Sequence, residues 1–277
     1  MLSAEDRNKA VEILLAAEAT KKQAVQLSTT WPGITIEDAY AISSAVTERK
    51  IKNGAKLIGH KIGLTSKAMQ QSTQIDEPDY GHLLDSMLVQ DGAKVKHADY
   101  CVPRVEPELT FILKEPLKGP GVGLVDVLRA TEYVVPSIEI IDARIQNPRK
   151  IFDTVADNGA AAGIVLGGRP VRPHDVDLRW VGAVFYRNSE IEETGLAAGV
   201  LGHPAMAIAW LANKVGVFGT VLEPGHLMLS GSFTRPVWAN PGDTLHADFG
   251  PLGSVAVQTP SRSISARRAG NCWPTSP

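Results

Sequence analysis

The sequence predicts an α+β fold, a sheet-rich domain preceded by a small helical subdomain. Apolar residues recur at helical spacing in the first 55 positions, with Val11, Leu14 and Leu15 in one stretch and Ile36, Ala39, Ile42 and Val46 in another. From Lys56 the pattern becomes a series of short strand-like runs punctuated by Gly, Pro, Asn and Asp. Those runs do not alternate with long helices, as βαβ units would require. The expected division is therefore a helical subdomain over 1–55, a mixed β-rich catalytic domain over 56–258, and a disordered tail over 259–277 that lacks periodicity.

Taken in order, Ser3 can cap a helix running through 3–30, and Thr35 a second ending at Asn53-Gly54. Leu57–Leu64 reads as a strand, and Glu77-Pro78-Asp79-Tyr80-Gly81 as a turn. Strand candidates follow at 86–90, 94–96, 104–113 and 133–142, with a helix over 124–132. Gly163–Leu166 is a further strand, and Trp180 to Thr194 a hairpin about Arg187-Asn188-Ser189. A helix opens at His203-Pro204, and strands at 226–230, 244–248 and 254–258 complete the domain.

Composition narrows the function. With 28 basic and 30 acidic residues among 277, the net charge of −2 offers no electrostatic footprint for nucleic acid or a membrane surface. Cys101 and Cys272 have neither metal nor redox spacing, and the N-terminus is not signal-like, so a cytoplasmic location is expected. The glycines around 119–123 make no phosphate-binding pattern, there is no Gly-x-Ser-x-Gly elbow, and the seven histidines lack zinc spacing.

Three carboxylates stand out. In Arg104-Val105-Glu106-Pro107-Glu108-Leu109, strand alternation puts Glu106 and Glu108 on one face. Glu139 lies inside the apolar run Val134–Ile141, where an ionised carboxylate is costly without compensation. Three carboxylates with no Cys or His suit a hard cation such as Mg²⁺ or Mn²⁺. The alternative is an exposed Glu-x-Glu edge strand and a separately satisfied core Glu. Lys61, on an apolar strand, either snorkels to solvent or faces a polar cleft, where desolvation would lower its pKa. In Ser230-Gly231-Ser232-Phe233-Thr234-Arg235-Pro236, either Ser232 or Thr234 can donate to a bound anion, the alternative being a polar exit from strand to loop.

Taken together, Gly59–Lys67, Glu77–Gly81, Pro103–Glu108, Asp153–Asn158, Leu201–Pro204 with Trp210–Lys214, and Ser230–Pro236 resemble the hydratase/decarboxylase family of aromatic meta-cleavage pathways, within the fumarylacetoacetate hydrolase superfamily. The likeness spans about residues 30–258. It implies a fumarylacetoacetate-hydrolase-like catalytic domain, Mg²⁺ (or Mn²⁺) held by Glu106, Glu108 and Glu139, and Lys61 and Asp79 as catalytic residues. Ser232 is implied as a substrate contact, and Arg144 and Arg235 are candidates for a distal carboxylate. The implied reaction is hydration of a 2-oxo-heptenedioate, through its 2-hydroxy-2,4-dienoate tautomer, to 4-hydroxy-2-oxoheptanedioate. A 4-oxalocrotonate-type decarboxylase or a 2-hydroxypenta-2,4-dienoate hydratase on the same scaffold is the alternative. Asp79 and the Ser-Phe-Thr-Arg-Pro run favour hydration. The family also implies a homo-oligomer.

Overall fold

In the computed structural model, which describes residues 1–67, 70 and 77–261, helix α1 spans Ala4–Thr20. It starts where Ser3 Oγ accepts a hydrogen bond from the Asp6 amide at 3.1 Å. It ends ten residues before the expected boundary, because Lys21 turns left-handed (φ 57°) and Ala24 then donates to the Arg144 carbonyl at 2.8 Å. That long-range pairing satisfies backbone that a longer helix would have satisfied internally, and only one further turn, α2 (Leu27–Thr30), forms. Helix α3 (Ile36–Lys52) has the capping box that Thr35 and Asp38 suggest. Leu14, Leu27, Ile42 and Val46 pack together, and Ile145 and Val155 from the later chain complete that core.

The strands follow in two sheets. The first part of the chain supplies β1 (Leu57–Gly63), β2 (Asp79–Leu84), β3 (Leu88–Val89), β4 (Pro103–Leu113), β5 (Thr131–Asp142) and β6 (Ala161–Leu166). The later part supplies β7 (Gly182–Arg187), β8 (Glu190–Leu196), β9 (Leu227–Leu229), β10 (Val237–Trp238), β11 (Thr244–Asp248) and β12 (Ser254–Gln258). The larger sheet runs β2-β1-β9-β4-β5-β6-β3, with β10 paired to β4; the smaller runs β12-β11-β7-β8. Helices α4 (Leu124–Ala130), α5 (Ile151–Ala156) and α6 (Ala205–Gly216) connect them.

Two differences from the sequence reading follow from pairing with distant chain. Asp79 is the first residue of β2 rather than part of a turn, because it pairs with Gly63 at the end of β1. Lys94–Lys96 is not a strand; Lys94 makes an isolated bridge to Gln258. The hairpin at Asn188-Ser189 forms as expected, both residues taking the positive φ (55° and 70°) that a tight two-residue turn needs. Thr259, assigned to the tail, is buried and donates to the Asn240 carbonyl, and from residue 262 the tail lies outside the described residues.

Alternation along β4 and β5 separates the core from the cavity face. Val105, Leu109 and Phe111 of β4, with Val134, Ile138 and Ile140 of β5, enter a core shared with Phe185, Leu245 and Val257 of the smaller sheet and Ile208 and Leu211 of α6. The opposite face of the same two strands carries the carboxylates.

Strand β1 reaches β9 only because Gly59 has no side chain: a Cβ there would lie 1.9 Å from the Leu227 carbonyl oxygen, at φ 153°. Gly59→Ala is expected to destabilise the protein by about 2 kcal/mol or more. Gly33→Ala, where a Cβ meets nothing within 4 Å, should cost far less. Urea denaturation midpoints of the two variants check this.

Candidate active site

The register of β4 and β5 decides where the three glutamates meet. The strands are antiparallel, Glu106 pairs directly with Glu139, and Glu108 pairs with Ser137 one step along the same face. The three carboxylates thereby converge, with one oxygen from each within 4.8 Å of the others. Glu108 and Glu139 are each 1 % exposed, and Glu106 borders an open cavity. Like charges directly opposite on a sheet are unfavourable, and burial sharpens the conflict. Burial, and then the charge of Glu139, push the Glu106 carboxyl up to about 8. Burial, Glu139 and Glu106 drive Glu108 well above the usual carboxylate range, although the Gly231 amide donates to its Oε2 at 2.8 Å. Burial also raises Glu139, against the pull of Lys61.

This donor set fits a hard divalent cation. It offers three carboxylate oxygens and no sulfur or nitrogen, and Glu139 Oε1 is buried without a hydrogen-bond partner. Among the described residues no other group of His, Cys, Asp and Glu converges in this way.

Lys61 and Asp79 meet next to this cluster. Lys61 lies on β1 and Asp79 at the start of β2, with Nζ and Oδ1 3.6 Å apart. At 5 % and 1 % exposure neither snorkels to solvent. Burial alone would lower the Lys61 pKa, the direction its sequence context suggested. Asp79 and the three glutamates reverse this and hold the ammonium above the ordinary lysine range. Two glycines make room for the pair. A Cβ at Gly63 would lie 2.3 Å from Asp79 Oδ1, and one at Gly159 2.4 Å from Lys61 Cε. Gly159 sits between Asn158 and Ala160, and all three take left-handed φ (56°, 59° and 59°). Non-glycine residues rarely adopt that conformation unless the surroundings impose it. Here the Asn158 side chain clamps the His82 backbone, donating to its carbonyl at 2.9 Å and accepting from its amide at 2.7 Å.

The cavity over these groups measures about 480 Å³. Lys61, Asp79, Glu106, Glu108 and Ser232 line it, and Glu139 completes the cluster beneath. The Ser232 hydroxyl is engaged within its own loop, donating to the Thr234 carbonyl and accepting from the Thr234 amide, each at 3.1 Å. The two arginines singled out for a distal carboxylate do not line the cavity. Arg144 is buried in an ion pair with Asp157 and also donates to the Ala161 carbonyl at 3.0 Å. Arg235 is exposed and pairs with Glu193 at 2.7 Å. Both are held by partners distant in sequence, which sequence spacing does not reveal.

Besides Lys61, the cations that line the cavity are Arg104, Arg149 and Lys150. Arg104 had a readable signal, since it lies two residues before Glu106 and so shares its face. Arg149 had none, lying in an irregular connection. Gly159 had a partial one in the turn-forming Asn158-Gly159 pair.

Residues 49–259 match the family model described as fumarylacetoacetate (FAA) hydrolase C-terminal. The chain is 54 % identical over 249 residues to the 2-oxo-hept-4-ene-1,7-dioate hydratase of Escherichia coli, covering 87 % of this chain and 93 % of that protein. It is 38 % identical to a 4-oxalocrotonate decarboxylase of Pseudomonas putida, over 82 % of this chain and 87 % of the relative. Among solved structures, the 4-oxalocrotonate decarboxylase from Pseudomonas putida G7 complexed with magnesium and adipate superposes with a TM-score of 0.91 at 35 % identity, covering 94 % of this chain and 99 % of that one. With a family match of this extent and relatives this similar across most of its length, the chain belongs to the fumarylacetoacetate hydrolase family of enzymes.

Proposed function

We propose that this protein is a hydro-lyase that adds water to a 2-oxo-heptenedioate, presented as its 2-hydroxy-2,4-dienoate tautomer, to give 4-hydroxy-2-oxoheptanedioate in homoprotocatechuate-type aromatic catabolism. The observation that carries the reading is Asp79 at 3.6 Å from Lys61, beside the three converging glutamates. A carboxylate at this position provides the base that hydration needs and decarboxylation does not. The 54 % identity to a 2-oxo-hept-4-ene-1,7-dioate hydratase supports the substrate class. We take the protein to act in the cytoplasm as a homo-oligomer. No helix among the described residues is long and apolar enough to cross a membrane.

Glu106, Glu108 and Glu139 would hold the metal, with Mg²⁺ the proposed ion and Mn²⁺ the alternative. A relative's complex with magnesium and a dicarboxylate supports this choice. When bound, such an ion supplies Lewis-acid stabilisation to an oxygen that gains charge as a 2-oxo acid enolises. The protein's own groups move the protons. Lys61, held as an ammonium among four carboxylates, donates toward the substrate carbon. Protonation at C5 of the dienol, with loss of its hydroxyl proton, gives the conjugated 2-oxo-3-ene. Lys61 regains the hydroxyl proton and delivers it to C3 as water adds at C4, and the proton that the water loses returns to Lys61 by way of Asp79. Asp79 Oδ1, buried and without a hydrogen-bond partner, accepts the proton that the water loses. Ser232 borders the same space as a substrate contact.

Lys61→Ala and Asp79→Asn are each expected to lower kcat/KM by roughly 10²–10⁴-fold. Mass analysis of the wild-type product should show the gain of one water; loss of CO₂ would establish the decarboxylase alternative instead. A second expectation concerns the metal. Mg²⁺ should raise the melting temperature of chelator-stripped wild type. Glu139→Gln, which relieves the Glu106–Glu139 repulsion, should melt no lower than wild type when stripped and lose most of the Mg²⁺-induced rise. Retention of the full rise would count against the ligand assignment.

A further inference from the structure

A substrate with a carboxylate at each end needs a cation for the end remote from the glutamates. Arg104 and Arg149 both line the cavity, and neither makes an ion pair among the described residues. Arg149 Nη1 is buried with no hydrogen-bond partner, which is costly for a charged donor. The two carboxylates closest in charge effect to Arg149 are committed elsewhere: Asp157 to Arg144, and Asp153 to the Ser28 amide and hydroxyl and the Lys150 amide. Burial lowers the pKa of the Arg149 guanidinium; Asp157 opposes this, and the charge of Arg104 lowers it further, so two like charges are gathered in one place.

Distance agrees. Arg104 precedes Glu106 by two residues on the same face of β4, an offset of about 7 Å along the strand. Six carbon–carbon bonds of about 1.5 Å in zigzag, the backbone of a seven-carbon diacid, span roughly 7.5 Å. The Arg104 guanidinium carbon lies over the Trp238 ring, 5.3 Å from its centroid, a cation–π contact that restrains the side chain without using a hydrogen-bond donor on a carboxylate.

We infer that Arg149, with Arg104 beside it, binds the terminal carboxylate of the substrate and selects dicarboxylates over monocarboxylates. This rests on the hydratase reading above for the identity of the reacting end. Arg104 supplies a fork fixed by Trp238, and Arg149 closes on the same carboxylate from the connection between β5 and α5.

The test uses Mg²⁺-loaded wild type, Arg149→Gln, Arg149→Lys and Arg104→Gln. Each is assayed with a 2-hydroxy-2,4-dienoate carrying a terminal carboxylate and with one lacking it. Calorimetry with heptanedioate and hexanoate, which cannot react, accompanies the assays. Arg149→Gln should lower the dicarboxylate-to-monocarboxylate ratio of kcat/KM roughly 10- to 100-fold, mainly through KM, and weaken heptanedioate binding by a similar factor. Arg149→Lys should recover part of both, and Arg104→Gln should act in the same direction. An unchanged ratio, or heptanedioate binding indifferent to both substitutions, would overturn the inference. Failure of the hydratase reading shows differently, as wild type that forms no hydrated product while heptanedioate binding still depends on Arg149.

Discussion

Two carboxylates held directly opposite each other across an antiparallel strand pair are the constraint on which this structure turns. Glu106 and Glu139 cannot separate without breaking the β4–β5 register, and that register also places Val105, Leu109, Ile138 and Ile140 in the core. The apolar faces of these strands therefore fix the position of the acidic ones. Moving either strand by one residue would exchange the two faces, turning the core residues toward the polar cavity and the carboxylates into the apolar core. Hydrophobic burial keeps together a cluster that electrostatics alone would disperse.

Around this conflict the fold arranges partial compensation. Lys61 brings one positive charge, and the Gly231 amide brings a donor to Glu108. A single ammonium shared with Asp79 does not balance four carboxylates, and the raised Glu106, Glu108 and Glu139 carboxyls reflect the remainder. A divalent cation would neutralise it. The space in which Lys61 and Asp79 meet depends on residues that have no chemistry of their own. Gly63 and Gly159 supply room, and Asn158 anchors the left-handed turn that carries Gly159.

Local signals were legible in the sequence and long-range ones were not. Strand alternation put Glu106 and Glu108 on one face, and Ser3 and Thr35 marked two helix starts. The helix from Ala4 stops early, and Asp79 joins a strand, because each is decided by pairing with distant chain: Ala24 with Arg144, and Asp79 with Gly63. The same reason separates the arginines. Nothing near Arg144 in sequence announces that Asp157 occupies it, and nothing near Arg149 announces the cavity. The convergence of Glu139 with the other glutamates depended on a register between segments some thirty residues apart, which periodicity does not specify. Family resemblance supplied that expectation before the strand pairing did.

The most direct measurement is anomalous diffraction at the manganese edge from crystals of the protein grown with Mn²⁺. One strong peak is expected within about 2.5 Å of carboxylate oxygens from Glu106, Glu108 and Glu139, facing the cavity that Lys61 and Asp79 line. No peak between these three side chains, or an ion held by other residues while the glutamates remain metal-free, would contradict the metal assignment.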